Sequence, residues 1–208
     1  MSPMLNFYTN PMSRGRIVRW MLEEIAAPYT VHLLDYGTTM KAAEYLAVNP
    51  MGKVPAIEHD GVVVTECAAI CAYLADAFPA SGLAPPPAER GAYYRWLFYF
   101  AGPVESAVVN EALGFEVPEG REAMSGYGGS LAAVVDVLDG HLSRSRYVAG
   151  ESFTAADVYC GSQVGWGMQF GTLEERPAFV DYWQRLSSRP AYVRATELDD
   201  ALVPRESD

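Results

Sequence analysis

Residues 49–69 read Asn49-Pro50-Met51-Gly52-Lys53-Val54-Pro55-Ala56-Ile57-Glu58-His59-Asp60-Gly61-Val62-Val63-Val64-Thr65-Glu66-Cys67-Ala68-Ala69. A Pro/Gly turn leads into a short apolar run from Val54 to Ile57. Asp60-Gly61 is a two-residue hairpin signal, because both central turn positions want φ > 0 and Gly and Asp tolerate it. Val62-Val63-Val64-Thr65 is then a β-branched return strand. Thr65 or Glu66 starts a helix, since Ala69, Ile70, Tyr73, Leu74 and Phe78 recur apolar at helical spacing. Pro55 is the odd residue: inside a strand it removes a ladder donor, so it belongs at an edge or a distortion. With Val54–Pro55 cis, Val54 turns its N–H and C=O outward, where an extended peptide-like ligand can pair with them. The helix starting near Glu66 presents unpaired N–H groups that suit a carboxylate. A free peptide edge beside such a helix start is a site for a small acidic peptide. The alternative is a plain hairpin and helix with an incidental edge proline.

Upstream of this stretch, Met4 to Tyr8 forms a strand and Thr9-Asn10-Pro11-Met12 a turn. A helix is expected from Ser13 to Ile25, with Ile17, Val18, Met21, Leu22 and Ile25 on its apolar face and Arg14, Arg16, Arg19, Glu23 and Glu24 mostly outside. Tyr29 to Leu34 alternates as a second strand, so the β-α-β order implies a parallel crossover. A short helix around Ala42 to Leu46 completes a β-α-β-α-β-β-α order. Downstream, Ala80 to Pro87 is the clearest linker, and strand signals vanish after it. Ala88 to Leu113 is a long aromatic-rich helix or pair, bent near Gly102-Pro103. Ala123 to Leu142 is a further helix. Thr154-Ala155-Ala156-Asp157 is an N-terminal capping signature for the next one. Pro177 to Ser187 and Pro190 to Asp200 supply two more.

The run NPMGKVPAIEHDGVVVTECAAICAYLADAFP resembles the second half of the glutathione-binding domain of cytosolic glutathione transferases, in a serine-type, bacterial-like form. In that family the pattern is Asn-Pro-x-Gly-x-Val-Pro, a hairpin, Glu-Ser, Ala-Ile and Tyr-Leu. The Tyr-Val-Ala-Gly turn with Thr154 and Asp157 is similar to the family's capped core helix, so the likeness runs over nearly the whole chain. It implies an α/β plus all-α fold: a thioredoxin-like domain at 1–80, a linker at 81–87, and an all-helical domain at 88–208. It also implies a homodimer, with the third helix and the aromatic-rich helix as contact surfaces.

Such an enzyme holds glutathione as cosubstrate and keeps its sulfur as thiolate, with no metal and no bound cofactor. A free thiol has a pKa around 8.5, so a hydroxyl donor plus a helix N-terminus must lower it by about one to two units. The donor belongs just after the first strand, where the candidates are Tyr8, Thr9, Asn10 and Ser13; Tyr8 lies in the strand, where its ring suits the core better than catalysis. Ser13 is the best placed, or it merely caps the helix. Asn10 can orient the sulfur as an amide donor. The local spacing departs from the usual serine motif. For binding, the resemblance implies the Val54 backbone before Pro55 on the cysteinyl unit, Glu66 with Cys67 at the γ-glutamyl end, and Lys53 on the glycyl carboxylate. The family usually has serine where Cys67 stands. The electrophile's cleft draws on Tyr94, Phe98 and Trp166 first, with Trp96, Met168 and Phe170 as further candidates, a set that also suits a core.

The bulk numbers agree. With 208 residues, 50% hydrophobic and 20% charged, the chain is an ordinary globular protein. No apolar run approaches the roughly 20 residues of a membrane span, and the start lacks a signal pattern, so a cytoplasmic protein is expected. A net charge of −11 argues against nucleic acid as a partner. The acidic run Glu197 to Asp200 reads as a solvated face. Cys67, Cys71 and Cys160 suit free thiols, with no His/Cys pattern for a metal. Two further readings keep the fold: a glutathione-dependent disulfide or peroxide reductase, isomerase or dehalogenase, or a binding module without turnover. No cysteine stands at 9–16, which disfavours exchange through a protein thiol.

Overall fold

The computed structural model describes residues 4–203. Strand β1 (Leu5–Thr9) buries alternate residues Leu5, Phe7 and Thr9, as the pleat requires. It pairs in parallel with β2 (Thr30–Leu33) and antiparallel with β3 (Ala56–His59), which pairs antiparallel with β4 (Val62–Thr65). The sheet order is β2-β1-β3-β4. Asp60 and Gly61 both adopt φ > 0 (49° and 83°), the two-residue turn expected from the sequence. Helices α1 (Gly15–Ile25), α2 (Ala43–Leu46) and α3 (Cys67–Ala77) complete the β-α-β-α-β-β-α order. This is the thioredoxin-like arrangement.

After the linker the chain is helical: α4 (Gly91–Tyr99), α5 (Glu105–Leu113), α6 (Leu131–Leu142), α7 (Ala155–Gln169), α8 (Pro177–Ser187) and α9 (Pro190–Asp200). Phe100–Val104 is a π-helical turn joining α4 to α5 and containing Pro103. Proline lacks the N–H of a helical bond, and the regular α-helical pattern is interrupted at the expected Gly102-Pro103. Gly161 and Gly165 put α7 directly against α8: a Cβ at either would collide with Leu186 or Trp183. No helix among the described residues is long and apolar enough to cross a membrane.

Packing divides the chain into Gly82–Ser187 and a second unit made of the residues up to Ser81 together with those from Ser188 onward. The helical unit is thus narrower than the 88–208 expected, because α9 packs on α1. The ion pairs explain this. Arg19 Nε donates to Asp199 at 2.7 Å, with both side chains almost fully buried, and Arg16 Nη1 meets Asp200 at 2.7 Å. Arg189 forks onto both oxygens of Glu24 (2.6 and 2.8 Å), and Arg194 pairs with Glu23. Two expectations are corrected here. Arg19 is not on the outer face of α1, and the acidic run on α9 is not all solvated, since Asp199 is a buried partner. A third correction concerns α6. Residues 122–124 form a 3₁₀ turn, Gly126, Gly128 and Gly129 take positive φ, and the helix starts only after Ser130, whose hydroxyl accepts the Ala133 N–H at 3.2 Å.

Candidate functional site

The segment before β3 is held from below. Lys41 Nζ donates to the carbonyls of Gly52 (2.7 Å) and Met51 (3.2 Å). The Tyr45 hydroxyl (2.6 Å) and Asn49 Nδ2 (2.7 Å) both donate to the Lys53 carbonyl. Burial pushes the Tyr45 phenol up to about 12, so it stays a donor at any ordinary pH. These contacts bring the chain to Val54, which packs on the small core of Met40, Tyr45 and Ala56. The Val54–Pro55 bond is cis, as expected. Among the described residues, the Val54 N–H and C=O have no hydrogen-bond partner. A polar edge this close to the sheet's pairing network is open to a ligand's amide.

Helix α3 begins just beyond the hairpin. Its N-cap is Glu66, at φ 69° and ψ 121°, a conformation that costs a non-glycine residue about 1–3 kcal/mol. No side chain caps α3, and the first intrahelical bond runs from the Ile70 N–H to the Glu66 carbonyl at 2.8 Å. The amides of Ala68 and Ala69 therefore form an open, positively polarised helix start. The Glu66 side chain is exposed with no partner among the described residues, and so is that of Lys53. The half-buried Cys67 thiol points back to α1, its Sγ 3.7 Å from the Arg14 carbonyl.

The loop between β1 and α1 differs from expectation in its details. The helix starts at Gly15 rather than Ser13. Ser13 caps it from two residues upstream: its Oγ accepts the Gly15 N–H at 2.9 Å and donates to the Asn10 carbonyl at 2.7 Å. That carbonyl also accepts the Ser13 N–H at 3.1 Å. Asn10 is a brace, with Nδ2 donating to the Leu34 carbonyl (2.8 Å) and Oδ1 accepting the Met12 N–H (2.9 Å). Arg16 Nε donates to the Pro11 carbonyl at 2.6 Å. A Cβ at Gly15 would strike the Thr9 hydroxyl, so only glycine lets α1 start against the end of β1. Tyr8 projects from the other face of β1, stacked on His32 (4.7 Å) and tilted against Tyr45 (5.5 Å). Burial and the Glu58 carboxylate, 3.4 Å from its hydroxyl, raise its pKa, which makes it a poor acid partner for a thiolate.

With this geometry in place, comparison with known proteins identifies the chain. The sequence profile of the glutathione S-transferase N-terminal domain matches residues 12–77, and that of the C-terminal domain matches residues 127–190. Glutathione S-transferase A of Pleuronectes platessa is 30% identical over 160 residues, covering 73% of this chain and 71% of that protein. The chain belongs to the glutathione S-transferase family. It is also similar to the Disulfide-bond oxidoreductase YfcG of Escherichia coli (strain K12), 29% identical over 202 residues, 90% of this chain and 92% of that protein. A sphingomonad glutathione S-transferase solved in complex with glutathione is 27% identical with a TM-score of 0.76, covering 94% of this chain and 98% of that one.

Among the described residues no ring contact joins the aromatic residues expected around the transferase's electrophile. Tyr94 (43% exposed) and Phe98 (73% exposed) lie one turn apart on α4, and Tyr94 OH accepts from Arg90 at 3.2 Å. Trp166 is half-buried on α7. A cavity of about 870 Å³ lies instead beside α5, lined in part by Glu105, Val109, Asn110, Arg121, Met124 and Tyr127. Sequence reasoning missed Lys41, Tyr45 and Asn49, which fix the backbone ahead of Val54. The Asn49-Pro50-Met51-Gly52 turn contained the signal, since a buried asparagine at the start of such a turn bonds its own loop. Among the described residues no group of three His, Cys, Asp or Glu is placed to hold a metal ion.

Proposed function

We propose that this protein is a glutathione transferase that joins the glutathione thiolate to the electrophilic carbon of a small molecule. The observation that carries the reading is the unpaired Val54 peptide beside the uncapped start of α3. In this reading the Val54 N–H and C=O pair with the cysteinyl unit in the manner of an added strand. The amides of Cys67 and its neighbours receive the γ-glutamyl carboxylate. Glu66 meets the ammonium group, and Lys53 the glycyl carboxylate. The thiol proton leaves to solvent, the sulfur lone pair forms the C–S bond, and the leaving group departs with its electron pair. Addition to an activated double bond instead ends with a proton taken from water.

Ser13 is the proposed hydroxyl donor to the sulfur. Its proton now goes to the Asn10 carbonyl, but that carbonyl keeps the Ser13 N–H when the hydroxyl turns away. The switch therefore orphans no buried acceptor and costs about 1 kcal/mol, less than the gain from a charge-assisted bond to a thiolate. Asn10, with both side-chain functions engaged, holds the loop rather than the sulfur. Tyr8 is kept as a wall of the Tyr45 cluster. For the electrophile we retain Trp166. The exposure of Tyr94 and Phe98 fits better the face of α4 that a second copy would cover in a homodimer. A cytoplasmic setting, where glutathione coexists with cysteines outside any disulfide such as Cys67, Cys71 and Cys160, belongs to the same reading.

A second reading, glutathione-dependent disulfide reduction, is favoured by the likeness to the Escherichia coli oxidoreductase. Retention on immobilised glutathione, with elution by the free tripeptide, tests the site. Conjugation of an aryl halide, measured beside reduction of a small disulfide, separates the two chemistries. A protein that passes over the resin unretained and inactive in both assays is not an enzyme of either kind.

A further inference from the structure

A second feature lies wholly within Gly82–Ser187 and shares no residue with the site above. Arg144 and Arg146, on the turn after α6, and Arg185, near the end of α8, line a cavity of about 660 Å³ together with Ser143, Ala178 and Asp181. Three arginines among the residues lining one cavity stand out in a chain of net charge −11. Elsewhere Arg16, Arg19, Arg176, Arg189 and Arg194 each pair with a carboxylate. Arg144 and Arg146 make no ion pair among the described residues. The Arg146 guanidinium lies 5.7 Å from the Tyr147 ring centroid, and Arg185 Nη2 donates to the Arg146 carbonyl at 3.2 Å, which ties α8 to the turn. Asp181 is the single carboxylate among the lining residues, so the cavity keeps an excess of positive charge. Like charges lining one cavity repel, and a multivalent anion relieves that repulsion while offering Arg144 and Arg146 a two-point bond each. Ala178, in the first turn of α8, adds the positive end of that helix to the same side.

We propose that this cavity binds the phosphate or pyrophosphate group of a soluble anionic ligand. Its size lies within the range of about 300–1,000 Å³ usual for small-molecule sites. The competing role for Arg144 and Arg146 is to complement the C-terminal end of α6, which needs no ligand.

Inorganic pyrophosphate is the probe, titrated into the ¹⁵N-labelled full chain at about 150 mM salt, where weak surface association is largely screened. Saturating amide shifts are expected at Ser143, Ser145 and Ala178, with affinity at least about tenfold weaker in Arg144→Ala/Arg146→Ala. The single exposed change Arg144→Gln, expected to weaken binding in the same direction, serves should the double variant not fold. Shifts that do not saturate, that spread over arginines elsewhere, or that persist unchanged in the variants would overturn the proposal. Vesicles containing phosphatidylglycerol distinguish a lipid headgroup from a soluble phosphate. Pelleting of the protein with them, without saturable pyrophosphate shifts, rules out the soluble ligand.

Discussion

In the proposed function a single hydroxyl decides how the sulfur is held. Ser13 has one proton and two calls on it, the Asn10 carbonyl and the thiolate. Replacing it by alanine removes the cap on Gly15 as well, so about 1 kcal/mol of stability should go with it. The catalytic signature is separate. The pH dependence of kcat/KM should shift upward by about one unit, toward the free thiol near 8.5, with activity at neutral pH lower by about tenfold. A stability loss with an unmoved pH profile would leave Ser13 as a cap and nothing more. Glu66 offers the complementary test at the other end of the ligand. Glu66→Gln keeps the shape and removes the charge, so KM for glutathione should rise about five- to tenfold with kcat little changed. A kcat change of that size at constant KM would contradict an ammonium contact. The backbone turns flanking the candidate site were legible from Val54-Pro55 and the Asp60-Gly61 hairpin, because turn chemistry is local. The direction of the Ser13 proton was not, because it depends on a carbonyl set by Asn10, whose own partner, the Leu34 carbonyl, lies 24 residues away.

At the scale of elements, two helix ends carry buried charge. Asp157 at the start of α7 accepts from the Val148 and Thr154 N–H groups, the Thr154 hydroxyl and the Tyr182 hydroxyl. Burial outweighs these four donors and lifts its carboxyl from 3.8 to about 6. A raised acid favours the fold in its protonated state. Its contribution is therefore full below about pH 4 and is lost as pH rises through about 6, a swing of about 3 kcal/mol. Urea unfolding from acid to neutral pH should show that downward contribution in the native chain. Asp157→Asn should lack it, and parallel profiles for the two would remove Asp157 as its source. At α9, Arg19 and Asp199 are buried with Arg19 Nη2 and Asp199 Oδ2 left without partners, and burial raises Asp199 in spite of Arg19. Removing one charge strands the other, so Asp199→Ala should cost about 3–5 kcal/mol, while Arg19→Met/Asp199→Leu should recover most of it. If the double variant is no more stable than the single one, the pair is not a desolvated liability. The capping motif and the Pro-led starts of α8 and α9 could be read locally. Arg19 could not: a period of 3.6 places it on the outer face of α1, and only the return of α9 buries it. The start of α6 was placed too early because Ala123 and Met124 continue the apolar pattern across three glycines whose positive φ no helix accepts.

For the whole molecule, the governing quantities are net charge and exposed apolar surface. Two copies carrying −11 each repel at long range, so self-association must be driven by a local apolar patch. Helix α4 offers one. Phe98 is exposed to 73% and Tyr94 to 43%, and one turn of helix separates them on the same face. Covering a phenyl ring of this kind contributes about 2 kcal/mol per copy, whereas a carboxylate placed there must be desolvated against its symmetry mate. Sedimentation equilibrium should therefore find the native chain as a dimer and Phe98→Asp as a monomer. Added salt should tighten the native dimer, because screening weakens the repulsion between acidic copies and leaves the apolar contact intact. The reverse salt response would mean that opposite charges, rather than this face of α4, hold the copies together. A variant that sediments like the native chain would move the contact to another surface and return Phe98 to the candidates for the electrophile's cleft.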